Sequence, residues 1–229
     1  MNVMIRTIRS LCLVAAIGHA HQSEAALSWS VSPDKVIPDN SPDLGTSSDI
    51  YIAPGDSQLA GMMNPSVASV ISIQFTITGG WDGDYTLVLC HAEGTTSQGM
   101  TLLNLLGGGA NASSGFNNVT LAVGNADINS APSAGGSAIS GTWAPESGVN
   151  FNTFQNGSPA GDWMLYVTDN QSGDTGTLAS WSLSLDVAPM DAVPEPVNMA
   201  LVIFGGMAGI LALARARWAK RPPDLRIKA

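Results

Sequence analysis

The side chains that could do chemistry are few, and most are acids. Asp82 with Asp84, and Asp162, Asp169 and Asp174, stand among Gly, Asn, Ser and Thr. Such clusters invite calcium, which takes six to eight oxygen ligands from carboxylates and carbonyls. Their spacing fits no EF-hand loop, because the glycine and the distal glutamate that such a loop needs are misplaced. The same residues read more readily as turn formers on a solvated face, since Asp is a common turn residue. Beyond the acids, Cys90 and His91 are adjacent. In a strand, neighbours point to opposite faces, which disfavours a Cys-His dyad. A Ser-His-Asp triad needs its base within hydrogen-bond reach of the nucleophile, and His91 lies in no recognisable motif of that kind. No catalytic residue is therefore expected. Cys90, flanked by apolar residues, reads as a small core residue. Trp81, Trp143, Trp163 and Trp181 could form a sugar-stacking platform, but Trp163 and Trp181 sit on apolar strand faces and read as core.

The charge distribution narrows the function further. Residues 26–196 hold sixteen acids against Lys35 alone, a formal charge of −15. Nucleic-acid binding requires Lys or Arg to neutralise phosphates, so that class is excluded.

The two ends read as targeting segments. Arg6 and Arg9 precede an apolar run from Leu11 to Gly18, and small residues follow at Gly18/Ala20 and Ser23/Ala25. This is the pattern of a signal peptide, residues 1–25. Cys12 would leave with it, and Arg9, Ser10 and Leu11 before it lack the small residue of a lipoprotein signal. Cys90 then remains alone, without an internal disulfide. At the other end, residues 197–214 (VNMALVIFGGMAGILALA) are almost wholly apolar. As a helix they span roughly 27 Å, enough to cross a bilayer core. Arg215, Arg217, Lys220 and Arg221 follow at once, placing the tail 215–229 in the cytoplasm and the preceding domain outside.

Immediately before that span, in the linker 188–196, come Pro194, Glu195 and Pro196. Each proline fixes φ and disfavours helix in the residue before it, so the segment is stiff and extended, a shape that a protease-like cleft can grip. The order of Pro-Glu-Pro, a Gly-containing apolar helix and an Arg-rich end resembles the PEP-CTERM sorting tail of Gram-negative bacteria. That resemblance implies an exosortase partner, a membrane-embedded cysteine transpeptidase that releases or transfers the exported protein at the cell surface. It also implies an association with exopolysaccharide.

Between the ends, strand signals recur with turn residues between them. Ile71, Ile73, Phe75 and Ile77 alternate with Ser72, Gln74 and Thr76. Trp181, Leu183, Leu185 and Val187 alternate with Ser182, Ser184 and Asp186. Each predicts a strand with one buried and one wet face. Residues 85–90 (YTLVLC) and 163–167 (WMLYV) are apolar on both faces and suit central strands, while 169–176 holds turn residues. The fold class expected is all-β: an antiparallel β-sandwich, jelly-roll-like, of about eight strands.

Several pieces of this region resemble the proprotein-convertase P domain, also called homo-B. They are Ile37 to Asn40; Ile77 to Leu87 (ITGGWDGDYTL); Gly94 and Thr95; Gly141 to Glu146; Gly161 to Asp169 (GDWMLYVTD); Gly173 to Leu178; and Ser180 to Leu183. The match covers roughly 35–187, with 105–132 departing from it as a long surface loop or variable strand. In convertases the P domain is not the catalyst but supports a separate subtilisin-like protease domain. The expectation is thus an exported, non-catalytic structural or adhesive module. The alternatives are an accessory to a serine endopeptidase or a calcium- or glycan-binding module.

Overall fold

The computed structural model describes residues 25–146 and 150–189. The sequence-predicted sorting motif (Pro194, Glu195, Pro196), apolar span and basic cluster (Arg215, Arg217, Lys220, Arg221) lie outside the described residues, as do residues 1–24 of the predicted signal peptide. Among the described residues no helix is long and apolar enough to cross a membrane.

Among the described residues, ten strands make two facing sheets. They are β1 (Ala25–Val31), β2 (Lys35–Ile37), β3 (Thr46–Ile52), β4 (Pro65–Gly79), β5 (Tyr85–Glu93), β6 (Thr96–Asn104), β7 (Phe116–Leu121), β8 (Thr142–Trp143), β9 (Gly161–Asp169) and β10 (Gly176–Pro189). The larger sheet runs β1-β10-β4-β7-β8, with β2 also paired to β10, and the smaller runs β3-β9-β5-β6. The chain crosses repeatedly from one sheet to the other, so consecutive loops gather at the ends of the sandwich.

All pairs are antiparallel except β7 and β8, which run parallel with Thr120 opposite Thr142 and Leu121 opposite Trp143. The expected purely antiparallel arrangement thus needs correction: the long excursion between Leu121 and Thr142 is the kind of connection that a parallel pair requires. The two strands beyond the expected eight are accounted for by the short β2 and β8.

The core lies between the inner faces. Trp181, Leu183, Leu185 and Val187 of β10 are all buried, as their alternation predicts. On β4 the alternation holds for Ile73, Phe75 and Ile77 and fails at Ile71, which is exposed while Val70 is buried. The ladder explains this. Ser184 pairs with Ser72 and Leu185 with Val70, so Ile71 is the extra residue of a bulge, and the bulge shifts which side chains face inward. Of the two forms expected for the divergent 105–132 stretch, surface loop or variable strand, part of it takes the second: it contributes β7, whose Phe116, Val119 and Leu121 are buried beside β4.

Candidate functional site

Acidic residues that are scattered in sequence meet at one end of the sandwich. Asp82 and Asp84 form a 3₁₀ turn that leads into β5. Asp169 ends β9, and Asp174 sits in the loop before β10. The two segments are clamped together, because the Asp84 carbonyl accepts from the Asn170 backbone N–H at 2.9 Å and from its side-chain Nδ2 at 2.6 Å. Asp39, beyond β2, joins them: its carboxylate accepts from the Gly173 N–H at 3.1 and 3.3 Å. Nearby, the Ser41 N–H donates to the Asp169 carbonyl at 2.7 Å.

These carboxylates are not ordinary surface acids. Asp82 and Asp169 are both 0% exposed. Asp82 Oδ1 accepts from the Gly115 N–H at 2.6 Å, and Asp169 Oδ1 from the Gln171 N–H at 3.1 Å. Oδ2 of each, and Oδ1 of Asp174, are buried without a hydrogen-bond partner. Burial pushes the Asp82 carboxyl up to about 8, against the lowering effect of Gly115, and Asp174 adds to the rise. Burial likewise raises Asp169 to about 6, helped by Asp174, Asp84 and Asp39. The ring of Tyr85 enters the same place. Its hydroxyl donates to the Gly79 carbonyl at 3.2 Å. Burial, with the charges of Asp169, Asp174, Asp82 and Asp84 around it, raises the phenol far above its usual range.

Of the five sequence-predicted calcium candidates, four therefore come together and one does not. Asp162 stands at the start of β9, exposed, and lines a hollow on the outer face of the smaller sheet with Asp49, Cys90 and Met164. Seven steps of extended strand, about 23 Å, separate it from Asp169. Tyr85 and Asp39 are members of the cluster that the sequence signal for charge did not single out, although both lie in motif pieces of the P-domain resemblance. No preformed set of three or more carboxylate, thiol or imidazole groups able to hold a metal ion occurs among the described residues.

The Cys90–His91 pair is split across the sheet as strand geometry requires. His91 is buried, its ring stacked on Trp163 at 4.1 Å between centroids and its Nε2 3.3 Å from the Ala160 carbonyl. Burial lowers its affinity for a proton. Cys90 is not in the core as expected. It faces outward and half-buried, because in β5 the odd positions from Tyr85 to His91 take the inner face. The tryptophans likewise divide: Trp163 and Trp181 are core, Trp143 is partly buried, and Trp81 is 40% exposed. They do not make one platform.

The sequence model of the proprotein convertase P-domain matches residues 68–185. No curated protein matches the chain. Among solved structures, a chain in the complex of the Aeromonas sobria serine protease and the chaperone is similar at 15% identity and a TM-score of 0.42, over 72% of this chain and 27% of that one. This chain thus spans under a third of that relative's length. A chain of turnip yellow mosaic virus is similar at 8% identity and a TM-score of 0.17, over 84% of this chain and 93% of that one. The family match takes in β4 to β10 almost whole, including Asp82, Asp84, Tyr85, Asp169 and Asp174, and covers over half of the 229 residues; the chain belongs to the proprotein convertase P-domain family.

Proposed function

We propose that this chain is an exported P-domain protein, delivered to the cell surface by a C-terminal sorting tail and serving there as a non-catalytic structural or adhesive module. The observation that carries the non-catalytic part is the state of His91. It is the one histidine of residues 25–189, and it is committed to packing on Trp163 and to the Ala160 carbonyl, so it is not poised as a base. Export and sorting rest on the residues at the two ends: the basic and apolar start, then Pro194, Glu195 and Pro196, the span 197–214 and the Arg215, Arg217, Lys220 and Arg221 cluster. In this reading the helix holds the protein in the inner membrane with the sandwich outside, until an exosortase-like transpeptidase acts at the Pro-Glu-Pro segment. The high negative charge suits a hydrated extracellular matrix and resists collapse onto anionic polymers.

Family membership favours a second reading, in which the domain supports a separate subtilisin-like protease. It predicts a peptidase that co-purifies with the chain. Topology tests the first reading directly. Alkaline phosphatase, active only outside the cytoplasm, is fused after residue 189 and, separately, after residue 229. Activity at 189 and silence at 229 is the expected result; activity at both, or at neither, contradicts it.

A further inference from the structure

A hollow of about 520 Å³ lies on the outer face of the smaller sheet, at the other end of β9 from Asp169. Cross-strand register explains why it is there. One row of the sheet runs Asp49, Met164, Cys90, Gly99, and the next runs Tyr51, Asp162, Ala92, Ser97. Toward β5 and β6 both rows carry only small side chains, whereas the row on the far side of Cys90 holds Tyr166, Val88 and Thr101. This step from large to small makes the hollow, with Cys90, Ala92 and Met164 as its apolar floor. Gly99 keeps the β6 end open, since a Cβ there would stand 3.2 Å from the Cys90 Sγ.

On β3 and β9 the same two rows bring acids to the rim. Asp49 and Asp162 are both exposed and occupy diagonal positions on neighbouring strands. Diagonal side chains lie about 7 Å apart, within the range over which like charges repel. The chain offers them no counter-charge: Lys35 is the only Lys or Arg in residues 25–189, and its Nζ donates to the Ser47 carbonyl at 2.7 Å. Beside Asp162 stands Tyr51, 63% exposed. Carboxylates and an aromatic face both attract an organic cation.

We propose that this hollow docks an extended peptide segment of a partner protein, with an Arg side chain among Asp49, Asp162 and Tyr51 and an apolar side chain, two residues away, over Cys90, Ala92 and Gly99. The dimensions agree. From β3 to β6 the face crosses three strand spacings, roughly 14 Å, and side chains two apart in an extended segment lie about 7 Å apart on one side. Arg fits better than Lys, because its planar fork can meet two carboxylates and stack on a ring. A bare metal ion would leave the apolar floor unused, and a neutral sugar would leave the acids unused. The formal charge of −15 on residues 26–196 steers a basic partner inward from a distance and repels acidic ones. The site rests on neither export nor the sorting tail, so its failure leaves that reading intact.

Cys90 lies in the floor, so its alkylation reports occupancy. The full chain in detergent is treated with iodoacetamide at increasing acetyl-Leu-Ser-Arg-amide, and the mass of the Cys90-containing peptide is followed. Saturable slowing of alkylation is expected, and it should weaken as salt is added. Acetyl-Ser-Ser-Arg-amide should need on the order of tenfold higher concentration, for want of the apolar side chain, and acetyl-Leu-Ser-Glu-amide should not protect. Replacing both rim acids, Asp49→Asn with Asp162→Asn, should lower affinity on the order of tenfold. Both positions are exposed, so the fold should survive the change. Calorimetry of the same titrations gives the affinity directly, should Cys90 alkylate too slowly to follow. Absence of both protection and heat up to about 10 mM acetyl-Leu-Ser-Arg-amide overturns the site. Equal binding of the Glu or the Ser-Ser-Arg peptide, or equal binding by the chain lacking both acids, overturns it as well.

Discussion

The hydroxyl of Tyr85 occupies the place that a Cβ on Gly80 would take, and Gly176 of the facing strand leaves it the same room. This slot gives a physical reason for the Gly79 to Tyr85 motif. Gly80 has φ +77°, where side chains are strained, and it must also admit an aromatic ring tip. Gly80→Ala should therefore cost about 3 kcal/mol, from overpacking and backbone strain together. Tyr85→Phe should cost about 1 kcal/mol, by leaving the Gly79 carbonyl unpaired. Because the two residues share one space, the double variant should lose less than the sum of the singles in denaturant melts. Strict additivity would mean that the slot has no energetic role.

Trp163 anchors the centre of the smaller sheet. It is buried, it packs on Phe154 at 5.2 Å and on His91 at 4.1 Å, and its Nε1 donates to the Pro159 carbonyl at 3.0 Å. Trp163→Ala should destabilise the fold by about 3 to 5 kcal/mol. It should also open His91 to water and let its titration move back toward 6.5, a shift that imidazole NMR reads. If His91 titrates as before, the stacked ring is not what keeps it dry.

The buried acids set an unusual pH dependence of stability. Asp82 rises from 3.8 to about 8 and Asp169 from 3.8 to about 6, so the folded chain holds protons that the unfolded chain has released. Their contribution to stability therefore falls as pH rises from about 4, through about 6 for Asp169 and about 8 for Asp82. His91 works in the opposite sense, since burial disfavours its imidazolium and acid below its ordinary 6.5 favours unfolding. The comparison of Asp82→Asn with the unsubstituted chain isolates the first effect. The variant's relative stability should climb between pH 4 and 8 and then level off. A difference independent of pH would remove the desolvation account.

Much of the fold is legible in the sequence because alternation survives wherever the ladder is regular. Trp181 to Val187 is a clear example. Ile71 shows the limit: a bulge is a property of two strands, and the sequence of one does not reveal it. Cys90 shows another, since an apolar neighbourhood does not say which face of a half-covered sheet a residue takes. The acidic site was partly legible. Asp82, Asp84, Asp169 and Asp174 stand out as charges in turns, and the crossing of the chain between sheets brings them together. Asp162 looks like their equal in sequence, but β9 carries it to the opposite end. Tyr85 carries no charge and reads as a strand residue, so only the packing around Gly80 and Gly176 reveals its place among the acids.

The central claim, an exported P domain released through its sorting tail, is tested most directly at the C-terminus. The measurement is the mass of the C-terminal peptide of protein recovered from cells, for the native chain and for a variant with Pro194, Glu195 and Pro196 all replaced by alanine. The account predicts that the native chain ends near Pro196 and that the variant keeps its apolar helix. Recovery of both chains intact through Ala229 would contradict it and leave the tail as a plain anchor.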